Sequence, residues 1–158
     1  MFCVGERIVH PLHGAGEILE IVEKKYDGVT KEYYAVKIFA GNVSILVPVD
    51  SAERVGMRPV MGEKEARRLL GSFSALELEI DRNWNRRYRD NLVRIRSGNP
   101  DEVARVIKSL VARDREKGLS TGERKMLHTA KQILASELVL SLSVPYEEAE
   151  RLLMTALE

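Results

Sequence analysis

Hydrophobic spacing changes period once along this chain, near residue 57. Before that point the apolar residues come in short runs rich in Val, Ile and Tyr, at 7–9, 16–22, 33–39 and 43–49. Such runs have the composition of strands. Glu32-Tyr33-Tyr34-Ala35-Val36-Lys37-Ile38 comes close to alternation, the mark of a strand with one wet face. Turn residues separate the runs: Pro11-Leu12-His13-Gly14, Asp27-Gly28 and Gly41-Asn42. Several short strands with no helix-length pattern predict a small curled barrel, whose edges must be closed, covered or used for docking. Val55-Gly56-Met57-Arg58-Pro59-Val60-Met61-Gly62 then breaks the pattern with glycines and a proline. The expected organisation is a β-domain over 1–56, a linker over 57–62 and a helical domain over 63–158.

Beyond the break, apolar positions recur at helical spacing. Residues 63–70 predict a short helix ended by Gly71, and residues 71–80 a loop or distorted helix. The next helix covers 82–96, capped by Asp81 or Asn83 and closed by Ser97-Gly98. Asn99-Pro100-Asp101 supplies a cap, a first-position proline and a first-turn acid. The helix it opens carries Val103, Val106, Ile107, Leu110 and Val111 on one stripe and stops at Gly118. Ser120-x-x-Glu123 is a capping box. It starts a helix that runs to about residue 142, with Leu127, Ala130, Ile133, Leu134, Glu137 and Leu138 along it. Ser143-Val144-Pro145 introduces the last helix, apolar at Ala149, Leu152, Leu153 and Ala156. Short loops predict antiparallel neighbours, so the fold class is α+β: a small β-barrel followed by an all-α bundle.

Charge adds one feature to this picture. The net charge is only +1 over 158 residues, which excludes a general polyanion trap. Residues 1–56 hold six Lys/Arg against eight Asp/Glu, whereas residues 82–96, RNWNRRYRDNLVRIR, hold six arginines against Asp90 alone. The basic charge is therefore local, as expected of a site. Cys3 is the single cysteine, so no internal disulfide forms and a reducing compartment fits. The N-terminus meets Glu6 before any signal-like apolar run, and no segment approaches the ~20 apolar residues of a membrane span. The expected location is cytoplasmic.

Candidate catalytic chemistry is thin. Cys3, His10 and His13 leave a zinc site short of a fourth ligand, and turn or strand-end histidines are the better reading. Gly14-Ala15-Gly16 lacks the rest of a dinucleotide fingerprint and reads as a hairpin turn. No Ser–His–Asp spacing is defensible. An enzyme, a metal, a cofactor and a small-molecule substrate are all unexpected.

In the basic helix, Trp84, Tyr88, Leu92 and Ile95 fall within about 80° at 100° per residue, a single stripe. Periodicity alone makes Trp84 a core residue. Arg86, Arg87, Arg89, Arg94 and Arg96 occupy the rest of the circumference. A solvated face usually mixes signs to form i,i+4 pairs; nearly pure arginine points instead to phosphate, which suits the planar guanidinium fork. Trp84 also stands in the first turn, where a side chain can project past the bundle. Arg124-Lys125, in the first turn behind the Ser120 capping box, forms a second basic point at a helix start that itself favours anions.

Taken together, these residues resemble the CarD/CdnL family of bacterial transcription regulators over nearly the whole chain. The matching features are Val4-Gly5-Glu6-Arg7-Ile8-Val9-His10-Pro11-x-x-Gly14-x-Gly16, Val47-Pro48 and Asn83-Trp84-x-Arg86-Arg87-Tyr88. They continue through Arg113-Asp114-x-x-Lys117-Gly118-Leu119-Ser120-x-Gly122-Glu123 and Ala130-Lys131-Gln132-Ile133-Leu134. The resemblance implies a Tudor-like barrel that docks on the β subunit of RNA polymerase, with Lys24, Lys37, Leu46, Val47 and Pro48 as docking candidates. It also implies a helical domain that meets promoter DNA at the upstream edge of the melted region. There a tryptophan wedges into the minor groove, a role that falls on Trp84. Arg86 and Arg89 match the family's DNA-contacting positions, Arg124 and Lys125 match a second basic pair, and Arg87 joins them as a DNA-binding candidate. The chain departs from the family pattern at Leu46, where a basic residue often precedes the Val-Pro. A reading from another class is a protein–protein adaptor whose basic helix meets an acidic protein.

Overall fold

The computed structural model describes residues 1–78 and 82–158. Its class is α+β, as expected: a Tudor-like antiparallel sheet and then helices. The strands are β1 (Arg7–His10), β2 (Gly14–Tyr26), β3 (Val29–Ile38), β4 (Val43–Pro48) and β5 (Arg58–Pro59), in the order β4-β3-β2-β1-β5. A bulge between Ile18 and Glu20 interrupts the β2–β3 register. Such a bulge bends a strand and lets the sheet curl over its core. That core centres on Tyr34, which is fully buried and whose Oη accepts the Phe2 N–H at 3.0 Å. Gly16 permits the tight β2–β3 approach, because a Cβ there would overlap the Lys37 carbonyl.

β2 and β3 extend well beyond the apolar runs that predicted them. Their ladder continues through Lys24↔Lys31, Lys25↔Thr30 and Tyr26↔Val29 to a two-residue turn at Asp27-Gly28. Both turn residues have positive φ, 50° and 78°, the geometry that matches strand twist in a tight hairpin. Most of the hairpin tip is exposed. Hydrophobic alternation therefore carries no signal there, and backbone pairing alone defines the strands.

The helices are α1 (Glu63–Ser72), α2 (Trp84–Arg96), α3 (Pro100–Lys117), α4 (Thr121–Leu142) and α5 (Tyr146–Ala156). Gly71 does not end α1 as expected; the helix runs through it to reach Phe73, which is buried in the helical core. A 3-10 turn over residues 73–75 follows, and Lys108 Nζ donates to the carbonyls of Phe73 (2.5 Å) and Leu76 (2.9 Å). Asn83, Asn99 and Ser120 cap α2, α3 and α4 by accepting the N–H of Arg86, Asp101 and Glu123. Asp81, the alternative cap for α2, lies outside the described residues.

The seam between sheet and bundle is polar and well satisfied. Residues 57–62 contain β5, and its Arg58 places a bidentate guanidinium on Glu137 of α4 (2.6 and 2.5 Å) while Nε donates to the Gly98 carbonyl (2.6 Å). Glu137 has no exposed surface and also accepts the Met61 N–H at 2.8 Å. Ser141 Oγ donates back to the Met61 carbonyl. On the other flank the Ala15 N–H donates to Ser136 Oγ at 3.0 Å, and Val9 of β1 packs into the helical core. Gly56 and Gly98 meet backbone to backbone, and a Cβ on Gly98 would overlap the Gly56 carbonyl oxygen. The stretch between the two modules is thus clamped to α4 at Arg58 and Met61.

His10, at the end of β1, gives this arrangement a pH dependence. Burial, and then the neighbouring His13, push it down from 6.5 to about 4. Its Nδ1 accepts the Leu12 N–H at 3.1 Å, a bond that requires the unprotonated nitrogen. The unfolded chain therefore binds the proton more readily than the folded one. The corresponding stability is fully present above about pH 6.5 and is lost as the pH falls toward 4. Urea denaturation at stepped pH should show a loss on the order of 2 kcal/mol across this window, and His10→Asn, which keeps an acceptor, should flatten it.

Candidate nucleic-acid interface

α2 packs on the bundle through Tyr88, Leu92 and Ile95 of the stripe its spacing predicts, while Trp84 at the head of that stripe projects. The buried residues of α2 are Arg87, Asn91 and Ile95, while Tyr88 and Leu92 are half-buried and Trp84 is 43 % exposed. Arg87 is buried beside this stripe through a charge pair. Arg87, only 8 % exposed, donates from Nε to Glu123 Oε2 at 3.0 Å, and Glu123 is 1 % exposed. Arg113 of α3 stands 3.8 Å from the other carboxylate oxygen. Burial raises the carboxyl pKa of Glu123. The Arg87 hydrogen bond and charge, the Ser120 hydroxyl and the Arg113 charge outweigh it, and the net shift is below the ordinary carboxylate value. An ionised carboxylate inside the bundle therefore holds one arginine of α2 inward.

Trp84 lies on the same face of α2 as Arg87, Tyr88, Asn91 and Ile95, and it reaches the rim because it is the first residue of the helix. The indole stacks on Tyr88 with centroids 5.0 Å apart and planes at 17°. Its Nε1–H donates to Ser120 Oγ, at the start of α4, at 3.3 Å. Tyr88 in turn lies against Gly122, where an added Cβ would sit 3.4 Å from the ring. The first turns of α2 and α4 are consequently side by side. Between them an open groove of about 190 Å³ is lined by Tyr88, Leu92, Gly122, Lys125 and Met126, with Leu12 from the β1–β2 loop.

Of the residues expected to bind DNA, Trp84, Arg86, Arg89, Arg124 and Lys125 are all exposed around this point. Arg87 is the exception: its guanidinium lies inside, committed to Glu123, so the structure gives it a scaffolding place. Arg94 forms an ion pair with Glu102 at 3.4 Å, which places it on the α2–α3 contact. Sequence reasoning gave no role to Asn91 or Arg113, and did not see the second use of Ser120 and Glu123. The usable signal was the acid of the capping box, whose spacing holds Glu123 at the start of α4.

The five docking candidates on the sheet divide by strand parity. Lys37, Leu46 and Pro48 share one face through the register Tyr33↔Pro48, Ala35↔Leu46 and Lys37↔Ser44. Leu46 is 50 % exposed and Lys37 exposed, whereas Val47 points the other way and is 5 % exposed in the β core. Lys24 stands exposed on the hairpin arm. β4 is also the last strand of the ladder, so its outer backbone edge has no strand partner among the described residues.

Among the described residues no group of three or more His, Cys, Asp or Glu is placed to hold a metal ion. No helix among them is long and apolar enough to cross a membrane.

Comparison with known proteins agrees on both parts of the chain. Residues 2–61 match the family model described as the CarD-like/TRCF RID domain. Residues 68–154 match the one described as CarD, C-terminal domain. A protein of Bacillus subtilis (strain 168) named "Putative transcription factor YdeB" is 33 % identical over 138 residues, covering 87 % of this chain and 90 % of that protein.

The buried pair and the exposed arginines should separate in stability measurements. Arg87→Ala strands the Glu123 carboxylate and should cost about 3–5 kcal/mol in urea denaturation, whereas the exposed Arg89→Ala should stay within about 0.5 kcal/mol of the parent.

Proposed function

The chain belongs to the CarD family, and on that premise we propose that it is a transcription regulator that docks on the β subunit of RNA polymerase and steadies the promoter open complex through α2. The sheet is the docking module. Lys37, Leu46 and Pro48 on the outer face, with Lys24 on the hairpin, meet the polymerase. The free edge of β4 offers backbone groups to a partner strand. Val47 supports that face from within the core. With Leu46 at the centre, docking is more apolar and less salt-sensitive than a basic residue would make it.

The observation that carries the DNA half of this reading is the half-exposed indole of Trp84, stacked on Tyr88 beside two sets of exposed cations. Arg86 and Arg89 on α2 and Arg124 and Lys125 on α4 hold phosphates on either side of it. Contacts of this kind give salt-dependent affinity with little sequence preference. The indole enters the minor groove at the upstream edge of the bubble. Unstacking a base step costs a few kcal/mol, and least where the duplex is already opening. A wedge placed there opposes re-annealing and lengthens the life of the open complex. The same reading places its action in the cytoplasm, at the nucleoid and through polymerase.

Free DNA should be bound weakly by so few cations. Docking of the sheet raises the effective concentration of α2 at the promoter, as linked modules do. Trp84→Ala should leave polymerase binding unchanged and shorten open-complex lifetime about five- to thirtyfold, the factor that 1–2 kcal/mol represents. Competitor-challenge decay of complexes on a promoter template measures it. An unchanged lifetime would remove the wedge from the account.

A further inference from the structure

Ser120 has a second task besides capping α4. Its hydroxyl oxygen accepts the Glu123 N–H at 3.2 Å and the Trp84 indole N–H at 3.3 Å. Its own hydrogen goes to Glu123 Oε1, also at 3.2 Å. A serine hydroxyl has one donor and two acceptor sites. All three are used here, so the hydroxyl has no free rotor. The carboxylate takes the hydrogen and leaves a lone pair facing the indole. Glu123 is fixed in turn by Arg87 from α2 itself. The chain of contacts therefore starts on α2, crosses the first turn of α4 and returns to the first residue of α2.

We infer that Ser120 is a positioning residue that latches the Trp84 side chain in the flat, Tyr88-stacked rotamer it presents to a partner. This deepens the wedge reading and rests on it for its functional consequence, but the latch itself is a property of the free protein. One indole face is covered by Tyr88 and the nitrogen by Ser120. The other face is left outward and holds its orientation before any ligand arrives. An exposed tryptophan without such a partner samples several rotamers, and the binding-competent one is then only a fraction of the population. Preorganisation of this kind raises apparent affinity without adding a contact to the ligand.

Trp84 is the only tryptophan in the chain, so indole fluorescence reports this side chain alone. Ser120→Gly is the informative variant, because glycine is tolerated at a helix N-cap but supplies no hydroxyl. Ser120→Thr keeps the hydroxyl and serves as the rescue. In the free full-length protein, Ser120→Gly should raise acrylamide quenching of Trp84 and lower its fluorescence anisotropy, and Ser120→Thr should return both toward the parent. In the polymerase–promoter complex, the glycine variant should shorten open-complex lifetime about two- to fivefold, the bias that one net hydrogen bond gives to a rotamer equilibrium. Quenching and anisotropy unchanged in Ser120→Gly would overturn the latch, whatever the lifetime did. So would a fluorescence change that Ser120→Thr failed to reverse while both variants kept the parental denaturation midpoint. Failure of the wedge reading shows separately, as an unchanged lifetime in Trp84→Ala; the fluorescence of Ser120→Gly still decides the latch.

Discussion

A carboxylate with 1 % of its surface exposed, Glu123, is the constraint on which the helical domain turns. Removing such a group from water is tolerable only if charge and hydrogen bonds replace the solvent. Arg87, Arg113 and Ser120 supply them from three different places: α2, α3 and the cap of α4. Meeting that requirement helps set the rotation of α2. With Arg87, Asn91 and Ile95 turned inward, Trp84 heads the same face and stands at the rim as the first residue of α2, while Arg86, Arg89 and Arg96 on the outer side remain in solvent. The buried charge therefore helps fix which face of α2 is inside, and the first-turn position leaves the tryptophan at the open end of that face. The Coulomb energy of such pairs often does little more than offset desolvation. Their yield here is a unique helix orientation.

A second buried carboxylate does the same for the relation between modules. Glu137 draws Arg58 and the Met61 N–H onto α4, and Ser136 holds the Ala15 N–H of the β1–β2 hairpin. The sheet face proposed for polymerase and the helix face proposed for DNA are thereby parts of one body. In the proposed mechanism this matters more than the affinity of either face. A wedge tethered by a slack linker would be present near the bubble but unaimed, whereas one carried on a clamped frame arrives in a set orientation.

Helix boundaries were legible because their signals are local. Asn83, Asn99 and Ser120 cap where their side-chain chemistry says they should, and Gly118 ends α3 with a positive φ of 76°. Gly71 misled because glycine in a helix is a modest cost that the burial of Phe73 readily offsets. The hairpin arm beyond residue 22 was invisible to hydrophobic alternation, since neither side of its tip is dry. The site was legible in composition and in the outward placement of Trp84, but not in the burial of Arg87. Nearly pure arginine on α2 marked the face; aromatic spacing alone assigned Trp84 to the core, but the one-sided charge, the first-turn position and the family resemblance turned it outward, where it is 43 % exposed. Only its tertiary partner Glu123, 36 residues away in sequence, reveals that Arg87 is on the inside. Glu137 carried the same kind of hint, an acid in line with the apolar stripe of α4.

The central claim is that the rim carrying Trp84 meets DNA. A photo-crosslinking amino acid placed at position 85, next to the indole and exposed, tests it in the complete complex of the protein, RNA polymerase and a promoter. The account predicts crosslinks to promoter DNA at the upstream edge of the melted region. Crosslinks to protein alone would contradict it and favour an adaptor that grips an acidic partner.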